Sequence, residues 1–269
     1  MELKSVHYFV AQKNPHHGEA ILKGFGAWRA QAGDSKLVRG ALHLIGGLQY
    51  GSLELMQEVR AAGEPYIFFD RAYFGGGPGS NRLRVVPNAY QKHWLERWPG
   101  DRMKALGVEL KPWRPPTCPG QADRRHILVV PPGDLLRQLI DPGPLWEQMP
   151  ERLARITGRP VRVSVKGDPA PLAERLRDCW CVVTGHSNVA VEALLAGIPA
   201  FVSRESAAAP MAGMIETMED RIERPPTPDG REGWAASLAY GQFTLEEIRQ
   251  GVARDIIMAA FQGVERTTA

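Results

Sequence analysis

Residues 182–203, VVTGHSNVAVEALLAGIPAFVS, pass from an apolar run into a helical pattern through Gly185-His186-Ser187-Asn188. The pattern ends at Gly197-Ile198-Pro199, and a second apolar run follows. A helix that starts where a parallel strand ends presents backbone N–H groups and the positive end of its dipole, a setting suited to a phosphate. Gly185 permits close backbone approach. Ser187 and Asn188 can cap the helix or hydrogen-bond an oxyanion. Glu192, one turn in, has the reach to accept two ribose hydroxyls. Spacing alone favours a plainer arrangement, an N-cap with Glu192 in solvent.

A second concentration of chemistry lies at Phe68–Gly79, FFDRAYFGGGPG, where Asp70 closes an apolar strand and a glycine-rich loop follows. Residues 71–104 carry Arg71, Arg82, Arg84, Lys92, Arg97, Arg102 and Lys104 against only Glu96 and Asp101, with Tyr73, Phe74, Tyr90, Trp94 and Trp98 interleaved. Basic side chains suit phosphates, and aromatic rings suit unstacked bases. The alternative for Trp94 and Trp98, at i and i+4, is the buried stripe of one helix. No Cys and His grouping has zinc spacing, and the adjacent His16 and His17 are poorly placed to share a metal.

These groups need strands and helices to position them. Strand-like runs lie at Val6–Val10, Ala41–Ile45, Tyr66–Phe69, Leu83–Val86, His126–Val130, Val161–Val165, Cys181–Thr184 and Ala200–Ser203. Amphipathic segments such as Glu19–Gln31, Ser52–Ala62, Leu145–Ile156 and Val189–Ala196 alternate with them. Such alternation implies βαβ units and parallel sheets. Lys111–Arg125, with four prolines and no apolar periodicity, reads as a linker. The expectation is therefore two α/β domains, residues 1–121 and 122–269, with ligand sites at the carboxyl ends of their strands and a cleft between them. The tail, Phe243–Val264, reads as a helix capped by Thr244, with Glu246 and Glu247 in its first turn.

The 269 residues suffice for two modest cores, and 43% hydrophobic with 23% charged residues is ordinary for a soluble globular chain. No run of 18 apolar residues suggests a membrane span. The start, MELKSVHYFV, lacks signal-peptide features. Three cysteines, Cys118, Cys179 and Cys181, do not make a disulfide framework; Cys179 and Cys181 are expected as small buried residues of one strand. A cytoplasmic location is expected. Charge is uneven: residues 1–125 hold 18 Lys and Arg against 11 Asp and Glu, and the rest 15 against 19. That asymmetry suggests an anionic partner for the first half.

SNVAVEALLAGIPAFVS resembles the C-terminal-domain signature of GT-B glycosyltransferases and related sugar-nucleotide enzymes. The resemblance implies two Rossmann-like domains facing a central cleft, with the C-terminal helix packing back on the N-terminal domain. It implies that Gly185, His186, Ser187 and Asn188 meet a donor diphosphate and that Glu192 binds the ribose. A second acidic position common in that family, nearer the helix start, is absent here. VVPPG, Val129–Gly133, resembles the first loop of that domain and brings Gly133 toward the nucleotide. Lys166, in VSVKGD, resembles the family's cation for the diphosphate; the alternative for Lys166 is a solvated turn residue. No D-x-D occurs, which favours metal-free stabilisation of the leaving group. No cofactor is expected beyond the nucleotide sugar, with UDP-glucose the expected co-substrate.

Inverting transfer of this kind needs a base for the acceptor hydroxyl. Asp70 is the first choice, with His17 and His16, in NPHHG, as rivals. A cap or an ion pair with Arg71 for Asp70, and helix capping by the histidines, would be the structural alternatives. FFDRAYFG, RVVPNAY and WAASLAYGQFTLEEIRQG are similar to phage-borne proteins of this fold. That resemblance implies a DNA acceptor carrying 5-hydroxymethyluracil or 5-hydroxymethylcytosine, reached by base flipping, and location in the host cytoplasm. Arg71, Tyr73, Phe74, Arg82, Arg84 and Lys92 are then the expected DNA contacts. Three other functions compete: a cell-surface polysaccharide glycosyltransferase, a sugar-nucleotide epimerase or hydrolase, and a non-catalytic nucleic-acid-binding protein.

Overall fold

The structure is a computed structural model that describes residues 6–9, 15–29, 36–49, 51–75, 80–114, 125–140, 143–164 and 167–267, with the backbone alone at 6–9, 15, 28–29 and 260–267. The first strands and helices are β1 (Val6–Phe9), α1 (Pro15–Phe25), β2 (Trp28–Arg29), β3 (Leu42–Gly46), α2 (Ser52–Ala62), β4 (Tyr66–Arg71), β5 (Arg82–Pro87) and α3 (Asp101–Ala105). Next come β6 (His126–Val130), α4 (Asp134–Ile140), α5 (Leu145–Ile156), β7 (Val161–Val163), α6 (Leu172–Arg175), β8 (Cys179–Thr184), α7 (Asn188–Leu195) and β9 (Ala200–Val202). The chain closes with β10 (Gly213–Met214), α8 (Arg231–Ala239), β11 (Gln242–Thr244), α9 (Leu245–Arg249) and α10 (Val252–Thr267). The fold is mixed α/β with parallel sheets, and it divides into two compact units, residues 1–90 with 238–269 and residues 91–237.

The first unit holds a sheet of order β11-β5-β4-β3-β1-β2. Its β1, β2, β3 and β4 pair in parallel, while β5 and β11 join antiparallel. In β4, Tyr66–Phe69 are all buried, as expected of a strand covered on both faces. Leu42, Leu44, Ile67, Phe69, Leu83 and Val85 form one core with Ile21 and Phe25 of α1 and Ile257 of α10. The tail helix thus packs on the sheet of the first half. Thr244 caps α9 in a capping box with Glu247, which binds the backbone N–H of Thr244 in return. The expected single tail helix is broken at Gly251, whose φ of 85° is a left-handed conformation that suits glycine. The helix expected over Glu19–Gln31 ends at Phe25, because Trp28–Arg29 pair with His7 and Tyr8 as a short strand.

The second unit holds a five-stranded sheet, β10-β9-β8-β6-β7, with every pairing parallel. All residues of β6 and β8 are buried, Cys179 and Cys181 included. Trp146, Met149 and Leu153 of α5 cover one face. Residues 91–100 are irregular, so Trp94 and Trp98 are not the stripe of a helix; both are half-buried, and Trp98 Nε1 donates to Glu96 at 2.7 Å. Of the expected linker, residues 115–124 lie outside the described residues, and Lys111–Arg114 lie in this unit. Lys111 N–H donates to Leu195 O at 2.8 Å and Arg114 N–H to Gly197 O at 2.9 Å, so this segment satisfies the carboxyl end of α7.

Gly197 makes that contact possible. Its φ is 75°, and a Cβ there would run into the Pro112 carbonyl. Gly197→Ala is expected to destabilise the protein by at least the ~1–2 kcal/mol of a left-handed non-glycine residue, and more through the lost approach of Pro112. A chemical-denaturation midpoint unchanged from wild type would contradict this.

Candidate functional site

Thr184 ends β8 and pairs in register with Val130, the last residue of β6. The loops at Pro131–Gly133 and Gly185–Ser187 therefore leave the sheet from adjacent strands at their carboxyl ends, where ligands of parallel sheets bind. Thr184 Oγ1 donates to Val130 O at 2.6 Å and ties the two exits together. Gly185 lies against Trp146; a Cβ on it would sit 3.2 Å from the indole ring. Ser187 is the N-cap of α7, and its Oγ accepts from Val189 N–H at 3.2 Å. Ala190 N–H donates to Ser187 O at 3.1 Å, so the first turn is partly self-satisfied. What the mouth offers an anion is the dipole, the Ser187 hydroxyl proton and the Asn188 amide.

Gln91 supports this mouth from within the unit. It is 1% exposed. Its Nε2 donates to His186 O at 2.7 Å and to Asn188 Oδ1 at 3.2 Å, and its Oε1 accepts from Ala207 N–H at 2.8 Å. Trp234 Nε1 donates to Ala207 O at 2.8 Å, so both sides of residue 207 are held. His186 is buried beside this network. Glu192 is exposed on α7, yet burial by the surrounding protein raises its pKa above the ordinary carboxyl value, with Arg175 pulling the other way. Gly133 is exposed, with open space around it. Lys166 lies outside the described residues.

The second constellation is in the first unit. Asp70 on β4 stands opposite Arg84 on β5, and Arg84 stands opposite Gln242 on β11. Arg84 Nη2 donates to Asp70 Oδ2 at 2.7 Å, with side-chain exposures of 3% and 29%. The Tyr90 hydroxyl approaches the same oxygen at 3.4 Å. The guanidinium also faces the rings of Tyr90, Tyr73 and Phe68 at 4.8, 5.7 and 5.9 Å. Burial opposes the Arg84 charge, but Asp70, Tyr90 and Tyr73 outweigh it, so its pKa rises. Burial pushes the Tyr90 hydroxyl up to about 12, which keeps it a neutral donor. Gln242 Oε1 accepts from Phe74 N–H at 2.9 Å. FFDRAYFG, RVVPNAY and the QFT of WAASLAYGQFTLEEIRQG therefore meet in one three-strand patch.

This burial corrects the expected DNA contacts. Tyr73, Phe74, Arg84 and Lys92 are 1%, 7%, 2% and 6% exposed and belong to the interior. The expected alternative, pairing of Asp70 with Arg71, gives way to the Arg84 pair. Lys92 is engaged by Glu96, and burial lowers its pKa despite that partner. Arg71 is exposed and Arg82 half-buried. His16 and His17 sit in the first turn of α1, and burial, together with the His16 charge, lowers the His17 pKa. Gln91 and the Asp70–Arg84 pair escape sequence reasoning, since neither follows a periodic pattern.

Among the described residues, no three His, Cys, Asp or Glu side chains group as metal ligands, and no helix is long and apolar enough to cross a membrane. No family model and no curated protein matches the chain. Among solved structures, it is similar to the Thermosulfurimonas dismutans KpsC beta Kdo 2,4 transferase, at 15% identity and a TM-score of 0.54, over 96% of this chain and 99% of that one. It is also similar to the Thermosulfurimonas dismutans KpsC beta Kdo 2,7 transferase, at 15% identity and a TM-score of 0.45, over 93% and 98%. At such identity the first likeness is one of fold, and the chain shares its mixed α/β fold with a solved transferase over nearly its whole length.

Proposed function

We propose that the protein is a glycosyltransferase of GT-B architecture that moves a sugar from a nucleotide-activated donor to a saccharide acceptor of the cell surface. The observation that carries this reading is the parallel sheet of the second unit, whose Gly133 and Gly185–Asn188 exits lie side by side ahead of α7. The fold shared with a Kdo transferase supports it and favours a polysaccharide acceptor over DNA. The DNA reading also loses the side chains assigned to it, since four of its six contacts are interior. In this reading Ser187, Asn188 and Gly133 meet the donor phosphates, with Lys166 as their cation, and Glu192 takes the ribose. Asp70, held by Arg84 and Tyr90, is the carboxylate of the chemical step. Inversion at the anomeric carbon would assign it as the base for the acceptor hydroxyl, and retention as the nucleophile.

The test offers UDP-glucose and nucleotide-activated Kdo to the protein with capsular oligosaccharides and, separately, with hydroxymethylpyrimidine DNA. Mass spectrometry should show one added sugar on an oligosaccharide. A gain on DNA alone would restore the DNA acceptor, and donor loss with no acceptor gain would indicate an epimerase or hydrolase. Turnover is expected to survive EDTA, because the chain lacks a D-x-D to hold a divalent ion on the diphosphate. Loss in EDTA with recovery in magnesium or manganese would overturn metal independence.

A further inference from the structure

We infer that Gln91 is the positioning residue of the donor site, fixing the Asn188 amide and the loop before α7 in the arrangement that receives the donor phosphates. The inference rests on the donor-site reading above. The orientation of the Gln91 amide is dictated by its backbone partners. His186 O can only accept, so Nε2 must face it, and Ala207 N–H can only donate, so Oε1 must face it. The second Nε2 proton then meets Asn188 Oδ1 at 3.2 Å. Gln91 thereby decides which way Asn188 faces. The carbonyl turns toward Gln91, and the NH2, the half able to donate to a phosphate oxygen, turns away from it.

The same side chain links two loops. His186–Asn188 follow β8, and Ser206–Ala208 follow β9, the strand paired with β8 in register at Val182 and Val183. Gln91 is the common partner of both loops, and it is buried, so water cannot replace it at low cost. Ser206 Oγ accepts from Ala208 N–H at 3.2 Å, and Trp234 holds Ala207 O, so the second loop has contacts that do not depend on Gln91. The loop before α7 has Ser187 as its own cap, but the Asn188 side chain takes its direction from Gln91. Losing Gln91 should therefore change anion binding at the mouth more than the fold of the sheet behind it.

Gln91→Glu and Gln91→Met separate the roles. The glutamate keeps the acceptor for Ala207 N–H, but when ionised it cannot donate to His186 O or Asn188 Oδ1, and it adds a negative charge beside the phosphate position. The methionine keeps the volume and removes every hydrogen bond. Both are expected to raise the donor KM, and the Kd for UDP or CMP, by roughly 10-fold or more while kcat stays within a few-fold. Asn188→Ala should produce the same KM change, and Gln91→Met combined with it should add little. Ser237→Ala, which removes the contact of Ser237 Oγ with Glu96 N–H in the same unit, should change stability and leave KM alone.

A lower melting temperature with unchanged KM and nucleotide affinity in both Gln91 variants would reduce Gln91 to a structural residue while the donor reading stands. Wild-type protein that binds neither UDP nor CMP and turns over no nucleotide sugar would remove the donor reading and the inference with it. If neither variant folds, hydrogen exchange of the native protein decides. Slower exchange of the Gln91 side-chain NH2 together with the 188–190 amides on adding UDP or CMP supports the link, and slower exchange at 188–190 with the Gln91 NH2 unchanged overturns it.

Discussion

Asp70→Asn is expected to lower kcat by about 10²-fold or more while donor KM and nucleotide affinity stay near wild type. The carboxylate ends the parallel part of the first sheet, and cross-strand register holds it opposite Arg84. Both contacts reach Oδ2, from Arg84 at 2.7 Å and from Tyr90 at 3.4 Å, which fixes the plane of the group. Asparagine keeps the shape and loses the charge, so a step that uses the charge slows and one that uses only packing does not. Stability should fall as well, because Arg84 is 3% exposed and loses its counter-charge. With Asp70 partly exposed and an amide oxygen still able to accept, about 1–3 kcal/mol is expected, below the cost of stranding a fully buried charge. Kinetics run well below the melting temperature separate the two effects. A near-normal kcat would take Asp70 out of the chemistry and make His17, then His16, the next to test.

Glu192→Ala should act on the other parameter. A ribose lies away from the bond that breaks, so contacts to it are similar in the ground and transition states and appear in KM. Loss of a charged hydrogen bond costs roughly 1.5–3 kcal/mol, or about 10- to 150-fold in donor KM, with kcat largely kept. The pKa of Glu192 is raised by burial, and this gives a second signature. Its charged form, the better acceptor for ribose hydroxyls, is lost as pH falls through that raised value, so wild-type donor affinity should weaken there while Glu192→Gln stays flat. Folding stability moves oppositely. A raised folded pKa stabilises the protein below the ordinary carboxyl range, and that contribution is lost as pH rises through the raised value. Donor KM unchanged in Glu192→Ala would leave the Gly185–Asn188 break as a helix cap and nothing more.

The scaffold was largely legible because fully buried parallel strands read as unbroken apolar runs. His126–Val130 and the helices Ser52–Ala62 and Leu145–Ile156 stand where the pattern puts them. Cys181–Thr184 stands as the end of a longer strand, β8. The position of Gly185–Asn188 at a strand-to-helix exit was legible for the same reason. What escaped was set by long-range register. β11 pairs with β5 across some 160 residues of chain, and only that ladder places Arg84 between Asp70 and Gln242. In sequence, Arg84 and Lys92 look like surface charge, because arginine and lysine are seldom buried unless paired, and their partners are not apparent from spacing. Gln91 lies in an irregular segment with no period to betray its burial.

The roles proposed for Ser187, Asn188, Gln91 and Glu192 all depend on where the nucleotide sits. The most direct measurement is a crystal structure of the protein with the nucleotide product bound. It should show phosphate oxygens within hydrogen-bond distance of the Ser187 hydroxyl and the Asn188 amide, Gln91 still joined to His186 O, and the ribose hydroxyls at Glu192. A nucleotide bound at any other loop, with Ser187–Glu192 untouched, would contradict it.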